Sequence, residues 1–553
     1  MAKTKTKRKK RSSKNLLLAV LSGLLLALAW PTYGFSPLIF IGFVPLLLIE
    51  RDLMQYVRKY SWLLLRYSFI AFLIFNVITC WWIGKVAFAA GIATCLLNAI
   101  VMTFFFQVYH IIRASIYDNR SRGQWILIPI WICFEFLHYN WELNFPWLNL
   151  GNVFATSIKL IQWYDVTGVL GGSLWVLLTN VFVFKAIDKW LRKDRQYAIL
   201  GKRLLIPLTI IFVPIIISLI RFHTYKEVED PITVVVYQPN SDPFNEKFSL
   251  SANEFIDRLF IDMQDILGVD VDLIVCPETA LQAQLWEHEI DKSSYISRIR
   301  KGLETKASNA GMVMGASTYK LYQEGEEHKP YTKKFSSQDV YYDSFNTNIY
   351  IDTSNILQIY HKSKLTPGVE IMPYIRYLKF LENLALDLGG TVGSLGYDEE
   401  QNPFVNEDMS VRIAPIICYE SLFGEHVSNF VRNGANLITI STNDGWWGNT
   451  QGHKQHCAYA SLLAIETRRS IARSANTGIS CTVNQRGEIS NATEYWEQAV
   501  FKDEINLNTK KTFYVRYGDY VAHISLIILI VLVIISFINS LVLKRVERIE
   551  KVM

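Results

Sequence analysis

Charge is scarce in this sequence. Asp, Glu, Lys and Arg make up 19% of its 553 residues, whereas soluble chains run near about 25%. Half of the residues are apolar, which excludes a disordered chain and leaves little polar surface for an ordinary soluble one. Cysteine is present but not organised. The seven residues are irregularly spaced and include no C-x-x-C, so neither a disulfide framework nor a zinc ribbon is signalled. Acid is missing altogether from residues 1–14, which hold eight Lys or Arg. The net charge of +6 is therefore the work of a basic tail, because the rest of the chain sums to −2. That excludes a general nucleic-acid-binding surface.

What abounds instead is long apolar sequence. Runs cover 15–30, 35–50, 62–84, 86–112, 124–139, 167–186, 203–221 and 520–543, and several approach the ~20 residues that span the hydrocarbon core of a bilayer. Aromatic residues reach 13%, with 15 Trp, as suits a protein that meets a membrane interface. The first two runs flank Pro31-Thr32-Tyr33-Gly34 and are short enough for a helical hairpin. A cleavable signal peptide is disfavoured because no small-residue cleavage site precedes the second run. Lys and Arg gather in the tail, in the 51–60 loop (Arg51, Arg58, Lys59), in the 113–122 loop (Arg113, Arg120, Arg122) and at 185–203. The alternate loops hold only Lys85 and Lys159. Positive-inside bias then predicts eight spans, both termini in the cytoplasm, and residues 222–519 outside. The organisation expected is a tail at 1–14, a membrane domain at 15–221, an outer domain at 222–519, a last span at 520–543 and a second tail at 544–553.

Residues 222–519 read as an α/β domain. Short β-rich runs at 232–237, 272–276, 311–318, 345–351, 411–417, 436–441 and 479–484 alternate with amphipathic stretches such as 251–267 and 455–472. Reactive groups in such folds cluster where strands end. Three strand ends stand out: Glu278 after 272–276, Lys362 after a strand near 356–360, and Cys418 at the end of 411–417. A Cys nucleophile needs a base for its proton and a cation for the thiolate and the oxyanion that follows. Those three residue types supply all three roles. His453, His456 and Cys457 have a metal-like spacing but no fourth ligand, so they read as a helix face. Cys276 reads as a buried strand-end thiol.

The strings around these residues carry more. Pro277-Glu278-Thr279, Tyr360-His361-Lys362-Ser363-Lys364-Leu365 and Ile417-Cys418-Tyr419-Glu420 occur in this order. So do Asn443-Asp444-Gly445-Trp446-Trp447-Gly448, Arg473-Ser474-Ala475-Asn476-Thr477-Gly478 and Tyr514-Val515-Arg516-Tyr517-Gly518-Asp519. The apolar half adds Asn144-Phe145-Pro146-Trp147-Leu148-Asn149-Leu150-Gly151 and Gly168-Val169-Leu170-Gly171-Gly172-Ser173. With these strings the chain resembles the apolipoprotein N-acyltransferases, whose outer domain belongs to the nitrilase (carbon–nitrogen hydrolase) superfamily. The resemblance covers almost everything past the basic tail. Two departures stand out: Gly368-Val369 replaces Phe-Gly before the acid Glu370, and Lys247-Phe248 replaces a Lys-Trp pair.

The resemblance implies a polytopic helical membrane domain of about eight spans and an extracytoplasmic nitrilase-like α-β-β-α sandwich, in the bacterial inner membrane. It implies Glu278, Lys362 and Cys418 as catalytic triad, with Glu370, Tyr419, Glu420, Asn346 and Trp447 as supporting or substrate-binding residues. The activity implied is ping-pong transfer of a fatty acyl chain through a Cys418 thioester. The donor would be a phospholipid and the acceptor the N-terminal amine of a diacylglyceryl-cysteine apolipoprotein. No cofactor or metal is implied, and a monomer is expected. The stretch 371–384 has the composition of a membrane-surface lid or of a packing helix. Two other classes stay open from the residues themselves. One is a membrane-anchored amidase or nitrilase-type hydrolase with water as acceptor, which would need only one span. The other is a transporter or scaffold with an outer binding module, against which the apolar runs carry few ionisable residues, chiefly Arg66 and Glu135.

Overall fold

The computed structural model describes residues 2–552 apart from 33, 55–56, 118–121, 193–195, 243–249, 324, 336–338, 355–356, 375–376 and 378–393. The Lys247-Phe248 pair and most of 371–384 lie outside the described residues. Among the described residues, six helices are long and apolar enough to cross a membrane: Ser12–Ala29, Ser61–Lys85, Phe88–Ile116, Tyr164–Arg192, Tyr197–Thr224 and Tyr520–Val542. The runs at 35–50 and 124–139 fold differently. The first is broken into a 3-10 helix Ser36–Ile41 and a helix Val44–Leu53 by the Gly42-Phe43 step. The second gives the 14-residue helix Leu127–Asn140, about 21 Å long at 1.5 Å per residue.

Charges read as loop residues also find partners inside. Arg113 is not in a loop: it sits in the last turn of Phe88–Ile116, fully buried and paired with Glu50, whose Oε1 lies 2.8 Å from His110 Nδ1. Arg51 bonds Asp188 at 2.6 Å and Asp52 at 2.7 Å. Buried charge is tolerated here because each ion has its counter-ion and further hydrogen bonds. The short sequence window around Glu50 gave no sign of it, since the partner lies 63 residues away.

The segment 231–506 is built on two sheets face to face. Its strands are β1 (Pro231–Gln238), β2 (Leu273–Val275), β3 (Leu281–Trp286), β4 (Gly311–Leu321), β5 (Lys333–Lys334), β6 (Tyr341–Ile351), β7 (Gln358–His361), β8 (Phe404–Val405), β9 (Arg412–Ile417), β10 (Leu437–Thr442), β11 (Ile471–Ala475), β12 (Cys481–Val483), β13 (Ile489–Ser490) and β14 (Ala499–Asn506). One sheet has the order β14-β1-β2-β4-β6-β5, with β3 on β4 and β7 on β6; the other is β13-β12-β11-β10-β9-β8. The parallel strands β1, β2, β9 and β10 are continuous apolar runs of the sequence, as strands covered on both faces must be, whereas β11, with Arg473 and Ser474, lies outside the runs expected. Val234, Val236, Val275 and Val313 of the first sheet share one core with Ile413, Ile417 and Leu437 of the second. Helices Ala252–Asp262 and Ser294–Lys306 cover the first sheet through Phe255, Leu259, Ile299 and Leu303. Helices Gly424–Arg432 and Gln451–Thr467 cover the second through Val427, Phe430, Ala460 and Leu463. This is the α-β-β-α sandwich.

The stretch 455–472 departs from its expected character. The helix spans Gln451–Thr467 and every residue of it but Lys454 is buried, while Ile471 already belongs to β11. Cys457, Ala460, Leu463 and Ala464 face the sandwich core; Ala458, Tyr459, Leu462 and Ile465 face the membrane half. Its polar residues other than Lys454 are buried too, and several bond across. Gln451 Nε2 donates to Ile78 O at 2.9 Å, and Gln455 Oε1 accepts from Trp147 Nε1 at 2.7 Å. The Tyr459 hydroxyl donates to Trp147 O at 3.1 Å and accepts from Trp30 Nε1 at 3.2 Å.

A second seam lies at Gly168, whose φ of 62° breaks the helix Tyr164–Arg192 near its start. A side chain there would strike the Tyr514 ring at 2.4 Å. The break frees the Val169 N–H, which donates to Glu466 Oε1 at 2.8 Å.

Removing the hydroxyl in Tyr459→Phe takes the acceptor from the Trp30 indole N–H and leaves the Trp147 carbonyl with Asn152 Nδ2 in place of two donors, in a buried interface. The expected cost is about 1–3 kcal/mol, read as a lowered unfolding midpoint of the detergent-solubilised protein. An unchanged midpoint would show that this bridge does not hold the halves together.

Candidate active site

The three strand-end residues converge. Glu278 follows β2, and Lys362 follows β7 on the same sheet; Cys418 follows β9 on the facing sheet. Lys362 is 1% exposed, and its Nζ lies 3.1 Å from Glu278 Oε1 and 2.8 Å from Glu370 Oε1. Asn346 on β6 donates through Nδ2 to the same two carboxylate oxygens, at 2.7 and 2.9 Å. Glu370 is itself fixed by the Thr366 N–H on Oε2 at 2.8 Å. Gly368 takes φ 76°, and a Cβ there would meet nothing within 4 Å. The departure from Phe-Gly at 368–369 therefore still delivers the acid to the ammonium. A cleft lined by Ser241, Leu250, Phe255, Thr279 and Asn476 reaches Glu278.

Electrostatics couple the triad. Burial pushes the Cys418 thiol well above its ordinary range, the Glu278 carboxylate adds to the rise, and the Lys362 ammonium opposes it. Burial works against the charge on Lys362, but Glu278, Glu370 and Cys418 outweigh it and raise its pKa. At neutral pH Cys418 therefore rests as a thiol beside a carboxylate and a retained ammonium. It becomes a nucleophile only as its proton leaves.

The turn that presents the thiol is strained. Cys418 has φ 48°, a left-handed backbone that costs a non-glycine residue about 1–2 kcal/mol. It opens a 3-10 turn, Cys418–Leu422. Glu420, fully buried, holds that turn to the Lys362 strand. Its Oε2 accepts from Ile417 N at 2.9 Å, and its Oε1 from Ser363 N at 2.6 Å, Lys364 N at 3.1 Å and the Tyr360 hydroxyl at 2.7 Å. Burial opposes the charge of Glu420, but the His426 imidazole, Tyr360 and the Ile417 N–H prevail and hold the carboxyl below its usual range. Tyr419 is buried and donates to Asn144 O at 3.0 Å. Trp447 packs against Trp82, Trp147 and His456, with ring centroids 4.9, 5.7 and 5.4 Å away.

A second buried cluster joins residues that the sequence reading did not connect. His456 Nε2 approaches Cys418 O at 3.2 Å and Ser421 Oγ at 3.0 Å, while Nδ1 lies 2.9 Å from Asp444 Oδ1. Asp444 also accepts from Arg473 Nη2 at 2.5 Å and from Thr442 Oγ1 at 2.7 Å. Burial disfavours its charge, but Arg473 and His456 hold its carboxyl far below the usual range. Donor atoms of Cys418, Asp444 and His456 lie within 4.8 Å of one another, close enough to suggest a cation site. The Asp444 oxygens are already taken by Arg473, Thr442 and His456, so a guanidinium fills the cation's role. His453 and Cys457 point elsewhere: His453 stacks on Tyr495 at 4.3 Å, and Cys457 Sγ lies 3.8 Å from Cys481 Sγ. The sequence signs of the cluster were separate: Asp444 and Arg473 each lie in a string that carries the resemblance, and His456 was read as part of a helix face.

The chain is also similar to known proteins over most of its length. Residues 22–182 match the apolipoprotein N-acyltransferase N-terminal domain, and 234–513 match the carbon-nitrogen hydrolase family. The chain is 30% identical over 532 residues to an apolipoprotein N-acyltransferase of Chlorobaculum tepidum, covering 93% of this chain and 94% of that one. It is 28% identical over 518 residues to one of Geobacter metallireducens, with 92% of each chain covered. A relative of the same name from Thermotoga maritima is 26% identical over 535 residues, covering 94% and 93%.

Glu420→Gln puts an amide N–H where backbone N–H groups now find an acceptor. The loss of stability should be about 1–3 kcal/mol for each donor left unpaired. Thermal unfolding tests this, and a midpoint equal to that of the parent protein would dismiss Glu420 as the tie.

His361 offers a pH test. Burial disfavours its charge, but Asp398 and Glu287, each 2.7 Å from a ring nitrogen, raise it to about 9. Its folded pKa thus exceeds the ordinary 6.5. The stabilisation it gives is full below about 6.5 and lost as pH rises through about 9. Unfolding midpoints from pH 6 to 10 should show that loss in the parent and not in His361→Asn; parallel profiles would refute it.

Proposed function

Because the chain belongs to the apolipoprotein N-acyltransferase family, we propose that Cys418 carries a fatty acyl group between a membrane phospholipid and the N-terminal amine of a diacylglyceryl-cysteine lipoprotein. The observation that carries this reading is the buried Lys362 ammonium, held by Glu278 and Glu370 beside the Cys418 thiol.

Glu278 takes the Cys418 proton as sulfur attacks the ester carbonyl of the donor. The oxyanion that forms is met by the Lys362 ammonium and by the backbone N–H of Tyr419. Collapse breaks the ester C–O bond, and Glu278 returns the proton to the departing lysophospholipid oxygen. The thioester that remains is attacked by the lipoprotein amine. Glu278 takes the amine proton and gives it to the sulfur as the C–S bond breaks, leaving an amide and a free thiol. Glu370 and Asn346 do not touch the reacting atoms. They keep Lys362 where its charge is useful in both tetrahedral states. Net charge is conserved through the cycle, so a buried site runs it without a mobile counter-ion.

The setting is the bacterial inner membrane. Both substrates are amphiphiles, and a site resting on an apolar helical half receives them without extracting them into water. Arginine- and lysine-rich loops support eight crossings with both termini cytoplasmic and the sandwich on the extracytoplasmic side. The enzyme works as a monomer in this reading, because one chain supplies every group the cycle uses.

Intact-mass spectrometry of the purified protein with phospholipid should show one fatty-acyl adduct on Cys418, discharged by a diacylated lipopeptide as N-acyl peptide. Cys418→Ala should lose both adduct and product. Discharge to free fatty acid with lipopeptide present would make the protein a hydrolase, and full transfer by Cys418→Ala would end the thioester mechanism.

A further inference from the structure

Two polar groups from outside its own strand stand at the Cys418 carbonyl. Ser421 Oγ donates to it at 2.8 Å, and His456 Nε2 lies 3.2 Å away. A trans peptide points its C=O and its N–H in opposite directions. Fixing the carbonyl of Cys418 therefore fixes the direction of the Tyr419 N–H. That N–H belongs to the first turn of the 3-10 segment Cys418–Leu422, where intrahelical acceptors are missing.

The His456 ring has no freedom to turn away. His456, Asp444 and Arg473 are all fully buried. Asp444 holds Nδ1 at 2.9 Å and is itself fixed by Arg473 and Thr442. Trp147 of the membrane half stacks on one side of the imidazole, with centroids 5.8 Å apart and planes at 30°. Trp447 meets it edge-on at 5.4 Å. Trp147 is anchored in turn by its indole bond to Gln455, the neighbour of His456.

We propose that His456, held by Asp444 and clamped by Trp147, is a positioning residue that aims the Tyr419 N–H at the oxyanion of the Cys418 reaction. This rests on Cys418 being the acylated nucleophile. His456 touches neither thiol proton nor substrate in this role; it sets the peptide plane. Through Trp147 the membrane half contributes directly to that setting.

The role predicts a split between two reactions of one sulfur. Attack on an ester builds an oxyanion and needs the N–H. Displacement of iodide from iodoacetamide forms an S–C bond in one step, expels iodide and builds none. In His456→Ala, single-turnover acylation of Cys418 from dioleoyl phosphatidylethanolamine in detergent micelles should slow by about 10-fold or more, short of the roughly 100- to 1,000-fold that removing an oxyanion donor costs because the N–H is misaimed and not removed. Alkylation of Cys418 by iodoacetamide, read by peptide mass, should stay within about 2-fold because thiol, base and ammonium are untouched. His456→Gln keeps an N–H donor near the Nε2 position and should recover acylation to within about 3-fold of the parent.

Acylation at the parent rate in His456→Ala overturns the proposal. So does an equal fall in acylation and alkylation, which would mark a purely structural residue, or a Gln variant no better than Ala. Failure of the parent protein to form any acyl adduct would instead sink the thioester reading itself.

Discussion

Everything in this molecule depends on one helix being shared. Gln451–Thr467 is the outer layer of the sandwich on one face and part of the membrane core on the other. A helix buried on both faces cannot be polar in the usual way, so most of its polar side chains bond buried partners, Gln451 and Gln455 across the seam. The register of that helix therefore fixes the distance between the apolar half and the turn bearing Cys418. Tyr419 reaches Asn144 and Leu422 joins the membrane core, which completes the same seam from the other side. The site is thus not hung on a flexible tether above the bilayer. It is built into the contact between two unlike environments.

The electrostatics follow from that burial. Two carboxylates, an ammonium and a thiol share a dry space at the triad, and an aspartate, a guanidinium and an imidazole share a second one behind the nucleophile. Neither group of charges would be stable alone in a low-dielectric interior. Lys362 answers Glu278 and Glu370 beside the first sheet, and Arg473 answers Asp444 beside the second. The nucleophile lies where the two groups meet, which explains how a residue with φ 48° is held in place.

Much of this was readable from the chain. The strands β1, β2, β9 and β10 were legible because double-sided burial writes itself as unbroken apolar sequence. Glu278, Lys362, Glu370, Cys418 and Glu420 were legible because each lies in a short string at a strand end. Other features were hidden by distance along the chain. Asp444, His456 and Arg473 come from three separate elements and share no local spacing. Glu50 and Arg113 looked like the end of an apolar run and a loop charge until folding paired them. The helix Gln451–Thr467 misled because Gln-Gly-His-Lys-Gln-His looks like a solvent face, whereas most of those polar groups bond buried partners. Strings noted in the two halves, around Trp147, Gly168, Trp447 and Tyr514, turn out to be the opposite sides of one seam.

The pairing of β1 with β14 carries a consequence for how the protein is made. These strands run antiparallel from Pro231 opposite Asn506 to Gln238 opposite Ala499, and β14 forms the outer edge of its sheet. The first strand of the sandwich therefore has one of its two neighbours at the far end of the insert. During synthesis β1 waits with an open edge until some 260 residues more have emerged. Maturation of the sandwich is thereby coupled to completion of the chain, just ahead of the helix that begins at Tyr520. A ribosome that stalls before residue 499 leaves an unclosed sheet, a ready substrate for quality control.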